Sequence, residues 1–316
     1  MSMLMDTATV ASFEASRDRL SAIAYRMLGS AADAEDTVQD AFLRWQATDR
    51  RYVEVPEAWL TKTVTNLAID RLRSAHTRHE RAVGAWLPEP LLSGDPMLGP
   101  ADTVEQRESV TLAVLLLMEQ LSPVERAVYV LREAFSYSHA EIARILGITE
   151  SASQQHTHRA RRRITPTAGD TGIAPADARR IVQAFVDAAA SGRTDQLVAL
   201  LTEDAVGTSD GLGGLAKRVI SYTNPARLAT AIRSGFKPTA AKRGLVGGSP
   251  TLHAAIVNGC PAMVGTMCDR VVGVAILEVR GEKIAAIRSI AAPARLARIN
   301  AEWQGRQLDA PLIESW

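Results

Sequence analysis

The feature that most constrains the fold of this chain is a pair of closely spaced helix-capping signals, followed by one glycine and one threonine. Ser122-Pro123-Val124-Glu125 combines a capping serine, a proline suited to the first helical turn and a glutamate at the third helical position. Ser138-His139-Ala140-Glu141 repeats the capping box without the proline. Gly147 then provides a turn, and Thr149 can cap the next helix. The pattern predicts a helix-turn-helix.

The segment after this turn is basic. From Ser151 to Arg163 it carries four arginines, two histidines and no acid. Such a helix suits phosphate contacts in a DNA major groove, and glutamine pairs well with adenine. We therefore predict a duplex-reading helix with these contact residues: Gln154, Gln155, His158, Arg159, Arg161 and Arg162. The alternative is the solvated basic surface of a small helical bundle.

Length and composition bound the remaining possibilities. A chain of 316 residues exceeds the usual single core, so we expect two or three domains. Hydrophobic residues at 47% exclude a disordered chain, and aromatics at only 5% favour helices over an all-β fold. Two cysteines, Cys260 and Cys268, give neither a disulfide framework nor a zinc spacing. With no signal segment or membrane-spanning run, a cytoplasmic protein is expected.

Residues 10–80 are predicted to form a first helical domain. A helix begins at a capping box, residues 30–33, and buries a face at helical spacing: Val38, Ala41, Phe42 and Trp45. Its exposed side is acidic with no base: Asp33, Glu35, Asp36 and Asp40. A loop from Asp49 to Tyr52 leads to Pro56, which suits the first turn of a second helix. The core side of that helix is Leu60, Val64 and Leu67.

Two separated stretches together resemble regions two and four of a bacterial sigma factor of the ECF (extracytoplasmic-function) type. The first runs from Pro56 to Leu60 and on into 66–73, and the second is Glu141–Ile148 followed by the arginine-rich 159–163. The resemblance implies that the chain binds core RNA polymerase and directs it to promoters. It also implies no cofactor and no metal, because the polymerase carries the chemistry.

The resemblance assigns roles to individual residues. Region two of the family holds the −10 element as a single strand with a flipped base, which needs polar groups for base edges and cations for phosphates. The residues implied here are Arg51, Tyr52, Lys62, Asn66, Ile69, Arg71 and Arg73, with Asn66 where the family has its base-contacting asparagine. The acidic side, Asp33 to Asp40, resembles the surface that docks on the polymerase. In the −35 helix the chain departs from the family pattern at Ser153, Gln154 and His156.

A linker rich in proline and glycine, residues 81–104, separates this domain from the second helical domain, residues 105–164. Within it, Trp86-Leu87-Pro88-Glu89-Pro90 matches a linker motif of one ECF subfamily with a SnoaL-like extension. Residues 175–300 are predicted to be α+β, and strands are expected at these positions: 252–257, 262–267, 271–279 and 284–290.

The third domain resembles the SnoaL-like branch of the NTF2-like, cone-shaped α+β fold. A loop motif and a tail motif of the subfamily are partly kept at Asp210 and Pro293, which, with the segment Trp86 to Pro90, are expected to join the domains. The domain is interpreted as a fused regulator, not an enzyme, and a small ligand could occupy the cone. Catalysis is the competing hypothesis, with three candidate residues: Asp204, Asp210 and His253.

The whole chain is thus interpreted as a multidomain protein, two all-α DNA-binding domains followed by an α+β domain. Two other readings stay open from the residues alone. One is a polyketide-cyclase-like enzyme with an accessory DNA-binding half. The other is a helix-turn-helix repressor that senses a ligand through the cone, which would bind duplex DNA by itself and usually as a dimer.

Overall fold

The computed structural model describes residues 7–79, 87–164, 172–211, 219–304, 306 and 309–316. Two compact units contain them: one comprises 1–83, 94–110 and 114–165, and the other 84–93, 111–113 and 166–316. The first unit is helical and holds residues of both predicted helical domains, and the second unit is α+β. The chain passes from one unit to the other several times, which the sequence does not predict.

The described helices up to residue 164 are α1 (Thr7–Leu28), α2 (Ala31–Ala47), α3 (Pro56–His79), α4 (Val104–Glu108), α5 (Leu112–Leu117), α6 (Pro123–Tyr129), α7 (His139–Leu146) and α8 (Glu150–Arg163). No helix among the described residues is both long and apolar enough to cross a membrane.

The predicted helix caps are present. Ser30 accepts a hydrogen bond from the amide of Asp33, and Ser122 and Ser138 each form a complete capping box with the glutamate three residues later. Gly147 adopts the left-handed conformation at φ 68°, which glycine tolerates without a Cβ clash. Thr149 caps α8. The turn between α7 and α8 is therefore fixed by local hydrogen bonds and one glycine.

Two buried arginines attach α1 to later helices of the same unit. Arg126 donates to the carbonyl of Met27 at 2.7 Å, and so places a cation at the C-terminus of α1, where the helix dipole favours it. Arg26 donates to Ser109 Oγ at 2.9 Å, and its guanidinium lies 5.2 Å from the ring centre of Phe135. The N-terminal and C-terminal helices of this unit are thus joined by direct polar contacts.

The described part of the second unit contains five α-helices and one sheet. The helices are α9 (Pro175–Ala190), α10 (Thr194–Leu200), α11 (Pro225–Phe236), α12 (Ala240–Val246) and α13 (Ala297–Trp303). The strands are β1 (Leu201–Ser209), β2 (Ile220–Tyr222), β3 (Thr251–Val257), β4 (Cys260–Met267), β5 (Arg270–Arg280) and β6 (Lys283–Ile290).

The sheet has the order β2-β1-β6-β5-β4-β3, in which only β1 and β6 pair in parallel. Strands β3 to β6 match the four predicted strands, whereas the positions of β1 and β2 are not predicted by the sequence. Residues of α9, α10 and α11 pack on the sheet in an apolar core that includes Phe185, Leu228 and Leu277. These helices therefore cover the sheet. Because β3 is last in the strand order, it is an edge strand.

The segment after Trp86 pairs with this edge instead of crossing solvent as an irregular linker. Leu92 forms an antiparallel bridge with Val257, and the amide of Ser93 donates to the carbonyl of Ile256 at 2.9 Å. Proline and glycine around it suggest no regular element, but β-bridge pairing needs only two or three residues and a free strand edge. Trp86 itself lies outside the described residues.

Asn258 holds this segment from the β3–β4 turn. Its backbone has φ 48°, followed by Gly259 at 76°, as a tight hairpin turn requires. Its side chain is fully buried and accepts a hydrogen bond from the amide of Leu91 at 2.9 Å, while its own amide donates to the carbonyl of Leu91 at 2.9 Å. Residues 87–93 are called the docked linker. Asn258 holds this segment by two hydrogen bonds, one through its side chain and one through its backbone amide.

Candidate nucleic-acid interface

Helix α3 presents a polar stripe to solvent. Lys62 is exposed and Asn66 is half-buried, and they lie four residues apart on one face. Within the described part of the chain, neither side chain has a hydrogen-bond partner, so both are available to a ligand. The opposite side of the helix is apolar, with Leu60 and Val64 fully buried.

Ile69 does not belong to this stripe. Only 5% of its surface is exposed, so the expectation that it contacts DNA is corrected: it is a core residue. Helix α3 packs against α1 and α2 on one side and against α6 and α7 on another, which widens its buried arc beyond a single apolar stripe.

Arg71 and Arg73 are both engaged with carboxylates. Arg71 donates to Asp40 Oδ2 at 2.7 Å and lies 3.9 Å from carboxylate oxygens of Asp33 and Asp36. Arg73 lies 3.6 Å from Asp70 one turn earlier. Arg71 is therefore part of the α2 surface and not of the α3 stripe.

That surface, the acidic cluster, consists of Asp33, Glu35, Asp36 and Asp40 on α2 with Arg71 of α3 beside them. The four carboxylates outnumber the one guanidinium, so the cluster stays negative. Asp33 and Asp36 are 60% and 74% exposed, which leaves them accessible to a basic partner.

The loop between α2 and α3 exposes an aromatic ring beside cations. Tyr52 is 84% exposed, and Arg50 lies over the Trp45 ring at 5.9 Å. Arg51 donates to the Asp49 carboxylate at 2.6 Å, and this bond lowers the pKa of Asp49. An exposed tyrosine in such a loop can stack on an unpaired base.

Helix α8 separates its buried and exposed residues clearly. Ser153, Thr157 and Ala160 are buried, and Ser153 Oγ lies 2.9 Å from Nδ1 of His139 on α7. A polar pair thus replaces apolar packing between the two helices of the turn. The exposed side carries the residues that the sequence predicts as duplex contacts: Gln154, Gln155, His158, Arg159, Arg161 and Arg162.

Not all of these side chains are equally available. Arg161 bonds to both carboxylate oxygens of Glu133, at 2.9 Å and 3.1 Å, and its neighbour Arg163 bonds to Glu125 at 2.8 Å. Across the described residues, no partner is found for four members of the exposed side, and Arg162 does have one. The four are Gln154, Gln155, His158 and Arg159.

Comparison with known proteins assigns these segments. Residues 13–78 match the model of sigma-70 region 2, and residues 111–164 match that of sigma-70 region 4. The chain is 39% identical over 205 residues to ECF RNA polymerase sigma factor SigJ of Mycobacterium tuberculosis, a match that spans 65% of each protein. It is 31% identical over 300 residues to the "Probable ECF RNA polymerase sigma factor SigI" of the same species, covering 93% of this chain and 97% of that protein. The chain belongs to the ECF sigma-factor family.

A solved structure extends the likeness beyond the two sigma regions. The crystal structure of M. tuberculosis SigJ aligns with 92% of this chain and 98% of its own, at a TM-score of 0.66 and 30% identity. The predicted family and multidomain fold class are confirmed. Sigma factors are initiation factors and not enzymes: they give RNA polymerase its promoter recognition, so the repressor and cyclase readings of the whole chain are set aside.

The three catalytic candidates of the α+β unit are not brought together. Asp204 on β1 bonds to Arg280 at 2.7 Å, and this bond lowers its pKa. His253 lies on β3, four strands away in the sheet order, which corresponds to roughly 19 Å. Asp210 accepts hydrogen bonds from the amides of Ala291 and Ala292 and stabilises the turn that begins at Pro293.

Asn258 is the residue that sequence reasoning misses. The Asn-Gly pair between two predicted strands is a hairpin signal. Its second role, binding the docked linker, depends on a segment more than a hundred residues earlier, so no local pattern reveals it.

Proposed function

We propose that separate surfaces of this ECF sigma factor bind core RNA polymerase, the −10 element and the −35 element, and that the protein acts in the cytoplasm. The acidic cluster binds the polymerase, since it is exposed and negative. Lys62, Asn66 and Tyr52 hold the single-stranded −10 element, because they offer a cation, an amide and an aromatic ring, none of which has a partner among the described residues. The exposed side of α8 reads the −35 duplex.

Promoter-dependent run-off transcription tests the core of this proposal. The full chain and a chain ending at Ile164 are each mixed with bacterial core polymerase and a promoter library. Specific transcripts from either form are expected. If neither form binds core polymerase or starts transcription on any promoter, the roles proposed for the acidic cluster, for the −10 residues and for α8 are wrong.

Arg159→Ala is expected to weaken −35 duplex binding and to lower the salt dependence of binding by about one unit of log–log slope, as for one lost phosphate contact. Arg159 is exposed on α8 and has no carboxylate partner among the described residues. Arg144→Ala removes an exposed cation from α7 and serves as the control. Fluorescence anisotropy across a salt series measures both slopes, and equal slopes for the two variants would contradict the role of Arg159.

The α+β unit acts as a regulator by holding the docked linker. In a sigma factor this segment joins the −10-binding and −35-binding regions, so its position affects whether both can engage DNA. The supporting observation is the pairing of residues 87–93 with β3 and Asn258. The separated positions of Asp204, Asp210 and His253 favour this role over catalysis.

Asn258→Gly is expected to loosen the docked linker. Glycine keeps the positive φ of the turn but removes the acceptor of the Leu91 amide, and a buried amide left unpaired costs about 1–3 kcal/mol. Protease cleavage within residues 87–93 should therefore be about tenfold faster. Asn224→Gly, which removes a helix cap in the same unit, is the control. Cleavage equally slow in both variants, with transcription unchanged, would contradict control through the linker.

A further inference from the structure

A cavity of about 240 Å³ lies beside the edge strand β3, entirely within the α+β unit. Its walls come from the start of α9, from residues 254–256 of β3, from the end of α13 and from Ser93 of the docked linker. The volume holds far more than one water, and it is smaller than the 300–1,000 Å³ typical of drug-sized ligands. The cavity therefore suits a compact small molecule. The cavity is distinct from the space between the helices and the sheet, which apolar side chains of the core fill.

The wall is positively charged on balance. Arg179 of α9 and Arg306 both line it, against a single carboxylate, Asp309. Arg306 also donates to the carbonyl of Ser93, so one of its edges is fixed by the docked linker. Arg179 has no carboxylate or hydrogen-bond partner among the described residues.

A buried donor for which the described residues offer no acceptor lies in the same wall. Trp303 is only 3% exposed and lines the cavity, and its indole Nε1 has no hydrogen-bond partner among the described residues. A buried N–H is rarely left unpaired, so a bound ligand is one candidate for its acceptor. His253 contacts the Trp303 ring at a centroid distance of 5.5 Å, and its buried Nδ1 likewise has no partner in the described part of the chain. Burial lowers the pKa of His253, so this ring is neutral near pH 7.

The start of α9 adds to this field. Its N-terminus lies at Pro175 and Ala178 of the cavity wall, and the dipole of this 16-residue helix favours an anion there. The aliphatic side chains of Ala254 and Ile256 supply an apolar surface opposite. Donors and cations therefore meet a small apolar wall.

We propose that this cavity binds a small organic monocarboxylate, with Arg179 and the Trp303 indole N–H contacting the carboxylate and β3 contacting the apolar body. A guanidinium and a neutral N–H together satisfy the two oxygens of such a group. The limited volume favours a compact molecule over a nucleotide or a long acyl chain.

Occupancy has a consequence for the linker, which rests on the regulatory function proposed above. Because Ser93 and Arg306 form part of the wall, a bound molecule adds contacts only while residues 87–93 are docked. Binding to one state stabilises that state by mass action. The ligand would therefore favour the docked linker.

Calorimetric titration of the full-length protein with benzoate tests the site directly, with benzamide as a neutral molecule of the same shape. Benzoate is expected to bind in the millimolar range or tighter, and benzamide at least tenfold more weakly. Arg179→Gln should weaken benzoate binding about tenfold or more, as for loss of a charge-assisted hydrogen bond. Arg180→Gln is the matched control, since Arg180 is exposed and bonded to Asp177, and it should change affinity less than twofold. Trp303→Phe keeps an aromatic ring and removes only the donor, and about a fivefold loss is expected.

Absence of benzoate binding, equal binding of benzamide, or equal affinity of the Arg179 and Arg180 variants would each overturn the site. Inorganic phosphate is a third probe, and if it binds as tightly as benzoate with the same dependence on Arg179, the organic part of the proposal is wrong. Protection of the linker is measured separately, by protease cleavage of residues 87–93 with and without benzoate. Binding without protection overturns the coupling to the linker and leaves the site established.

Discussion

Asn66→Ala is expected to reduce promoter-dependent transcription by about tenfold or more without changing the affinity for core polymerase. A side-chain amide that reads a base contributes about 1–3 kcal/mol, and alanine removes both its donor and its acceptor. Asn66 is half-buried on the α3 stripe, and its side chain has no partner among the described residues. A structural role in the fold therefore does not account for this asparagine. The acidic cluster lies on α2, so polymerase binding should not be affected.

Run-off transcription, with permanganate footprinting of the −10 element, measures this effect. Asp70→Asn, one turn further along α3, is the control and should stay within about twofold of the parent chain, as is usual for a surface change. A normal open complex with Asn66→Ala would exclude a base-reading role for Asn66. Equal loss in both variants would indicate a defect in the helix instead of a lost base contact.

The elements that the sequence predicts well are those fixed by near neighbours. A capping box depends on residues three positions apart, so Ser122 with Glu125 and Ser138 with Glu141 are readable without a structure. The left-handed turn at Gly147 follows from the same local chemistry. The strands β3 to β6 are long alternating or apolar runs separated by turns, which again is local information.

The misplaced residues depend on contacts between distant segments. The resemblance to region two places Ile69 at the DNA face, but this helix has neighbours on two sides and buries Ile69 in the core. Arg71 is a cation on a predicted DNA-binding helix, and only the position of α2 reveals that it serves three carboxylates. The docked linker is the same kind of case, because its strand partner lies in another domain of the sequence.

The site in α8 shows where sequence and structure complement each other. The sequence predicts six polar residues as duplex contacts, and the structure distinguishes Arg161, which is paired with Glu133, from Arg159, which has no partner among the described residues. It also shows what Ser153, a departure from the family pattern, contacts: its hydroxyl lies 2.9 Å from Nδ1 of His139 across the turn. Neither side chain alone predicts that pair.

The two buried arginines of the helical unit should respond to methionine in opposite directions. Arg126→Met is expected to lower the free energy of unfolding by about 3 kcal/mol, because it leaves the Met27 carbonyl at the end of α1 and the Glu119 carboxylate without their donor. Arg26→Met is expected to leave the free energy of unfolding unchanged or to raise it by up to about 2 kcal/mol. Methionine has a similar length and fills both sites.

The two variants are expected to differ because the hydrogen bonds that compensate the buried charge are fewer for Arg26 than for Arg126. Burial lowers the pKa of Arg26 to about 9, so the charged form is disfavoured in the fold. That cost is fully present below pH 9 and disappears only as the pH rises well beyond it, so it acts at neutral pH. Among the described residues its Nη1 has no partner and its Nη2 makes only a long bond, 3.4 Å, to the Pro100 carbonyl. Ser109 keeps a second bond, to the Gln106 carbonyl at 2.6 Å, when Arg26 is removed. Arg126 instead donates to three acceptors.

Differential scanning calorimetry of the full chain resolves the helical unit from the α+β unit and measures both variants against the parent protein. A loss for Arg26→Met as large as that for Arg126→Met would contradict this account of the two charges. Both arginines join α1 of region 2 to residues at or near region 4. Because Arg26→Met is expected to keep the stability of the fold, run-off transcription with this variant measures what the loss of one such contact does to promoter-dependent activity, whereas Arg126→Met combines that loss with a loss of stability.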